Sequence, residues 1–267
     1  MIPEFKDNKE LIAHLRANKA NKAELVAMKK KAIKLCDGVG GINLGGGISK
    51  AEKGASSEDG VLIKTIIGNT YNWMDSHGDV HVGNTFKKSI GENKNIFHLH
   101  DHEFKITAKV GDFTSVEERP ISWRELGVNK EGSTTVLVGT SEIRRDYNSQ
   151  IYNEYKANKI NQHSVGMYYV KIDLAINSNE SEDAKEKGNW DTYLPLLGNP
   201  ERAEEKGYFW VVKEAKLSEI SAVLLGSNEL TGMYGKEKEP LDNTQEKDTQ
   251  EEPSINYKYL IDNFKQL

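Results

Sequence analysis

Hydrophobic spacing divides the chain into a helical opening, a long strand-like middle and a nearly apolar-free stretch close to the end. In residues 7–35, Leu11, Ile12 and Leu15, then Leu25, Val26 and Met28, recur at helical intervals. Asp7 and Glu10 have capping-box spacing, so one or two helices are predicted there. Their other face carries Lys19, Lys22, Lys29, Lys30, Lys31 and Lys34, which reads as a solvated surface rather than a site for an acidic partner.

From Val61 onward, short β-branched runs take over. Strands are predicted over residues 61–67, 79–83, 96–100, 105–113 and 135–140, then from Ser164 through Val170 to Leu174, and over 208–213 and 216–225. One helix interrupts them, marked by Ile143, Tyr147, Ile151 and Tyr155 at four-residue intervals. Residues 177–206 form a polar insertion with Trp190, Tyr193 and Leu196 as anchors. This pattern predicts an α+β, mainly β fold: a small closed or nearly closed β-barrel wrapped by helices. The expected organisation is an N-terminal helical segment (1–37), a Gly/Ser-rich linker or mobile loop (38–60) and a main domain (61–232). A disordered acidic linker (233–254) and a short C-terminal docking helix (255–267) follow. Residues 236–253 hold seven acidic and three basic residues and almost nothing apolar.

Composition narrows the chemistry. The 267 residues are 37% hydrophobic with a formal net charge of -5, which argues against a dedicated nucleic-acid binder. No apolar run approaches a membrane span and no signal segment opens the chain, so a soluble intracellular protein is expected. Cys36 is the single cysteine, so it forms no intrachain disulfide and reads as a small apolar residue. Gly40 to Gly47 matches neither the P-loop nor the dinucleotide fingerprint, so no nucleotide cofactor is expected.

Two short segments carry reactive groups: His98-Leu99-His100-Asp101-His102 and His163-Ser164-Val165-Gly166-Met167. A serine hydroxyl becomes nucleophilic when a histidine accepts its proton and a third group orients the imidazole. Ser164 is not in a Gly-x-Ser-x-Gly elbow, which argues against the α/β-hydrolase fold. A metal is the alternative. On a regular strand His98, His100 and His102 share one face, and three neutral imidazoles suit zinc. The cluster nearly matches the His-x-His-x-Asp-His motif of metallo-β-lactamase-like hydrolases, but one residue is missing before the aspartate. His77 and His81 have i, i+4 spacing in turn-like sequence.

The segment Trp-Met-Asp-Ser-His-Gly-Asp-Val-His-Val-Gly-Asn-Thr-Phe (73–86) resembles the start of the phage prohead (capsid maturation) serine proteases. Four further features follow in that family's order. These are Ser89-Ile90, His100-Asp101 before the Gly111 strand, Ser164-Val165-Gly166-Met167, and Leu217-Ser218-Glu219-Ile220-Ser221 leading to Asn228. The resemblance implies a fold related to herpesvirus assemblins, a barrel wrapped by helices. It also implies a cofactor-independent serine endopeptidase that cleaves scaffold and major capsid proteins inside the immature capsid, in the host cytoplasm.

Carried over, Ser164 is the nucleophile, His100 the general base and Glu219 the third member, with Asp101 a less favoured alternative. The sequence departs from the family at His102, where a small or polar residue is usual, at Met167, where an aromatic is usual, and in the 177–206 insertion. Backbone N–H groups near Gly166 or the Arg144-Arg145 pair are candidate oxyanion donors, surface pairing being the simpler role for the arginines. A zinc hydrolase using His98, His100 and His102, and a non-catalytic capsid assembly or scaffold protein, remain the rival readings. Self-association is left open.

Overall fold

Seven strands build one sheet in the computed structural model, which describes residues 5–17, 22–36, 60–93 and 95–234. Two helices lead, α1 (Asn8–Ala17) and α2 (Lys22–Cys36), then β1 (Val61–Thr70), β2 (Asp79–His81), α3 (Lys87–Glu92) and β3 (Phe97–His100). Next come β4 (Lys109–Ser122), β5 (Ser133–Arg144), α4 (Ser149–Lys156) and β6 (His163–Ile176). The series ends with α5 (Ala184–Tyr193), α6 (Pro200–Lys206) and β7 (Tyr208–Ala222). The predicted linker, acidic stretch and C-terminal helix lie outside the described residues, as does the side chain of Cys36. Among the described residues no helix is long and apolar enough to cross a membrane.

The fold is mixed and mainly strand, as expected, but the sheet is not closed. Its order is β1-β5-β4-β3-β7, with β2 on the same edge of β7 as β3 and β6 on the other edge. The terminal strands β1 and β6 share no ladder. Instead, residues 230–234 sit against both. Ile67 N–H donates to the Gly232 carbonyl and Tyr234 N–H to that of Thr65, while His163 N–H donates to Thr231 Oγ1. The strands are also longer than their sequence spacing suggested. Residues 208–222 form one strand rather than two, because irregularities of register against β6 around Lys171 absorb the polar Lys213-Glu214 break.

Two other expectations change. The predicted internal helix shrinks to Ser149–Lys156, since Ile143 completes β5 and Asn148 caps the helix by accepting from Ile151 N–H. The lysine face of α2 is not simply solvated. Lys29, 5% exposed, pairs with Asp79 at 2.6 Å, Lys22 pairs with Asp183 and Glu186, and Lys30 donates to the Val170 carbonyl. The helix is thereby held by acids and a carbonyl of its own chain, with its Leu25, like Leu11 of α1, buried in the main core. Asp7 accepts from Glu10 N–H, as capping-box spacing requires. In the insertion, Trp190 is buried against Phe209, whereas Leu196 stays exposed.

Candidate functional site

The sheet brings the two reactive segments together across β7. Strand β3 runs parallel to β7 and β6 antiparallel to it, both in unbroken register at this end. Four rows result: Phe97–Glu219–Gly166, His98–Ile220–Val165, Leu99–Ser221–Ser164 and His100–Ala222–His163. Side chains paired across a ladder share a face, and successive rows alternate. Ser164 therefore shares a face with Ser221 and Glu219. His98, His100 and His163 belong to the opposite one.

The histidine that reaches the serine's face is His102. Strand β3 ends at His100, and Asp101 and His102 both take left-handed backbone conformations, with φ of 51° and 56°. Aspartate and histidine are among the side chains that tolerate this region, at a cost of about 1–2 kcal/mol each. The turn is fastened by Asp101 N–H on the Ala222 carbonyl and by His102 N–H on Ser221 Oγ at 3.1 Å. It carries the His102 ring onto Glu219, with Nδ1 2.5 Å from Oε1. Ser221 Oγ donates to the other oxygen, Oε2, at 2.6 Å. Glu219 and Ser221 are fully buried, whereas the His102 side chain is 37% exposed.

This arrangement has a defined polarity. A carboxylate accepts, so Nδ1 of His102 carries a proton, and in the neutral ring the lone pair is on Nε2. Ser221 has its hydroxyl hydrogen committed to Glu219 and is buried, so it braces the carboxylate. Gly166 is required beside them: a Cβ there would lie 2.1 Å from Glu219 Oε1. The glycine of the serine segment thus makes room for the acid from β7.

His100 is placed differently. Its Nδ1 is 3.0 Å from the carboxylate of its own neighbour Asp101, and its row lies on the far side of the sheet from Ser164. The structure does not bring it to Glu219. A regular strand continued to residue 102 would put His98, His100 and His102 on one face, but alternation along a strand cannot register two left-handed residues. The signal available was the polar run Asp101-His102-Glu103 after the last apolar strand residue, a turn composition.

The remaining histidines separate too. His98 is buried between Ser141 and Tyr155, and burial lowers its pKa to about 3, helped by the proximity of His163. His81 lies in β2 against Met167 and stacks on Phe86, with a pKa lowered by burial to about 4. His98, His100 and His102 therefore do not converge, and among the described residues no three His, Cys, Asp or Glu side chains could hold a metal ion. Arg144 pairs with Asp146, Arg145 lies over the Tyr152 ring, and Asn228 ties its amide to the Thr70 carbonyl. No protein-family model, curated protein or solved structure matches this chain.

Proposed function

We propose that the protein is a serine endopeptidase of the prohead-maturation type, with Ser164 as nucleophile, His102 as general base and Glu219 as the group that orients the base. The observation that carries this reading is the His102–Glu219 contact, built on the serine's own face of the sheet at the cost of two left-handed residues. Strain of this kind persists where surrounding structure over-determines it and clusters at functional sites. The half-exposed imidazole over a buried carboxylate is what proton transfer to and from a substrate needs. His102 replaces His100, the base expected from the order of motifs.

In the proposed cycle, His102 Nε2 takes the Ser164 proton as Oγ attacks the peptide carbonyl. The C–N bond then breaks and the imidazolium gives its proton to the departing amine. Water, deprotonated by the same nitrogen, releases the acyl group and restores the serine. Glu219 keeps the ring in the productive tautomer throughout, and Ser221 keeps Glu219 in place. The open sheet, with residues 230–234 seated between β1 and β6, supports its description as a nearly closed barrel. The substrates in this reading are the scaffold and major capsid proteins of an immature phage shell.

The test is labelling by a fluorophosphonate, mapped by mass spectrometry, together with cleavage of co-expressed scaffold and capsid protein. Label is expected on Ser164, and Ser164→Ala should abolish both label and cleavage while the protein unfolds at the same temperature. Undiminished cleavage by Ser164→Ala would sink the reading.

A further inference from the structure

On the face of the sheet opposite Ser164, four buried side chains form a continuous hydrogen-bonded chain. His163 Nδ1 is 2.7 Å from the Thr231 carbonyl, His163 Nε2 is 2.9 Å from Tyr155 OH, Tyr155 OH is 3.1 Å from His98 Nε2, and His98 Nδ1 is 2.8 Å from Ser141 Oγ. Tyr155 comes from α4 and is 1% exposed, and both histidines are fully buried. Burial keeps the two imidazoles neutral, lowering their pKa values to about 3 for His98 and about 4 for His163.

The direction of every bond follows from one end. A carbonyl only accepts, so His163 Nδ1 donates to Thr231, and Nε2 of the neutral ring must accept from the Tyr155 hydroxyl. The phenol has then spent its single hydrogen, so its oxygen accepts from His98 Nε2–H. His98 Nδ1 in turn accepts from Ser141, whose single hydrogen takes this 2.8 Å partner in preference to the Asp112 carbonyl at 3.3 Å. A phenylalanine at 155 would fill the same space but could neither give nor take a hydrogen bond. The hydroxyl is therefore what joins the two histidines.

We infer that Tyr155 is a positioning residue for the Ser164–His102 pair, an inference that rests on the reading of that pair given above. The chain ties down the residue that immediately precedes Ser164 and the residue four positions before His102. One anchor is at a strand end and the other in a short strand: His163 opens β6, and β3 is four residues long. Strands β3 and β6 have β7 between them and make no ladder with each other. The Tyr155 hydroxyl is a direct brace across that gap, behind Ile220 and Ala222. It fixes the separation of nucleophile strand and histidine turn, a distance on which proton transfer depends steeply.

The experiment uses the full chain with Tyr155→Phe. Histidine nitrogen NMR reads the tautomers of His98 and His163 and the titration of His102, and fluorophosphonate labelling of Ser164 is followed against pH. Expected are displaced His98 and His163 signals, a His102 midpoint moved by about 0.5 pH unit or more, and labelling slowed about tenfold with its pH profile following His102. A wild-type His102 titration in a variant whose His98 and His163 signals have moved would overturn the inference. If wild-type protein takes no label, the serine reading fails separately, while the His102 titration still decides the brace. Should Tyr155→Phe not fold, Ser141→Ala breaks the chain at its far end and is expected to move the same signals in the same direction by less; no movement of His102 there would equally overturn it.

Discussion

The two faces of the β3–β7–β6 patch use the same residue type for opposite ends. On one face His98 and His163 are sealed in, neutral, with every ring nitrogen engaged by a protein partner. On the other, His102 has one nitrogen on a buried carboxylate and a side chain 37% exposed. The first pair can brace but cannot trade protons with a substrate, since charging either ring costs several kcal/mol of desolvation. The His102 ring instead meets both solvent and a buried carboxylate. Neither motif spacing nor residue identity separates these histidines. Access to solvent and the charge of the partner do.

The strongest way to break this comparison is to remove one histidine from each side of the distinction. His102→Ala is expected to lower the rate of Ser164 labelling by about a thousandfold or more, the usual scale for losing a catalytic base. His100→Ala should change it less than about threefold, because that ring is hydrogen-bonded to the exposed carboxylate of Asp101 rather than to Glu219. A reversal of the two results would return the role to His100 and require the turn at 101–102 to rearrange when substrate binds.

Legibility differed between the strands and the turn. The β-rich run at 61–67, the alternation at 79–83 and the β-branched run at 135–140 each marked a real strand, since such residues fit a pleated, partly buried surface. Trp190 was legible as an anchor because a large apolar residue in polar sequence has one energetically acceptable place. The lengths of β4 and β7 were not legible, because register shifts let polar residues continue a strand where the sequence looks broken. The lysines of α2 read as a solvated face because their partners Asp79, Asp183 and Glu186 are far away in sequence. For the site, Ser164 and Glu219 come from ladder positions that the strand pattern indicates. The orientation of His102 depends on a left-handed turn that leaves no mark in the order of motifs, which therefore points to His100 instead.

Gly166 offers a sharper test with a smaller effect. In Gly166→Ala the new methyl would overlap Glu219 Oε1, and the carboxylate is already held by His102 and Ser221. Overpacking of a buried site typically costs about 1–3 kcal/mol. The cost here should appear on both sides, as a lower denaturation midpoint and as slower labelling. A Gly166→Ala protein with wild-type stability and wild-type labelling would show that Glu219 has room to move, and would remove the argument that the glycine exists to admit the acid.

The gentlest perturbation is pH, which separates the sealed histidines from the accessible one without a mutation. His81, His98 and His163 have folded pKa values of about 4, 3 and 4, all lowered chiefly by burial, against an ordinary value of 6.5. Between pH 6.5 and 4 the unfolded chain takes up protons at these positions and the folded chain does not, so stability present above 6.5 is lost as pH falls. Asp75 works the other way. Burial and the neighbouring Asp79 raise its pKa to about 7, so the folded form holds a proton that the unfolded form releases, and stability is lost as pH rises from about 4 to about 7. Three groups oppose one, at up to about 1.4 kcal/mol per pH unit each. Urea midpoints should therefore fall on acidification from pH 6.5 to 4.5, with a net slope of about two protons' worth at most. His98→Gln should reduce that slope by about one proton's worth. Stability that stays flat across this range would mean that the interior histidines are charged or solvated, and the difference between the two faces would disappear.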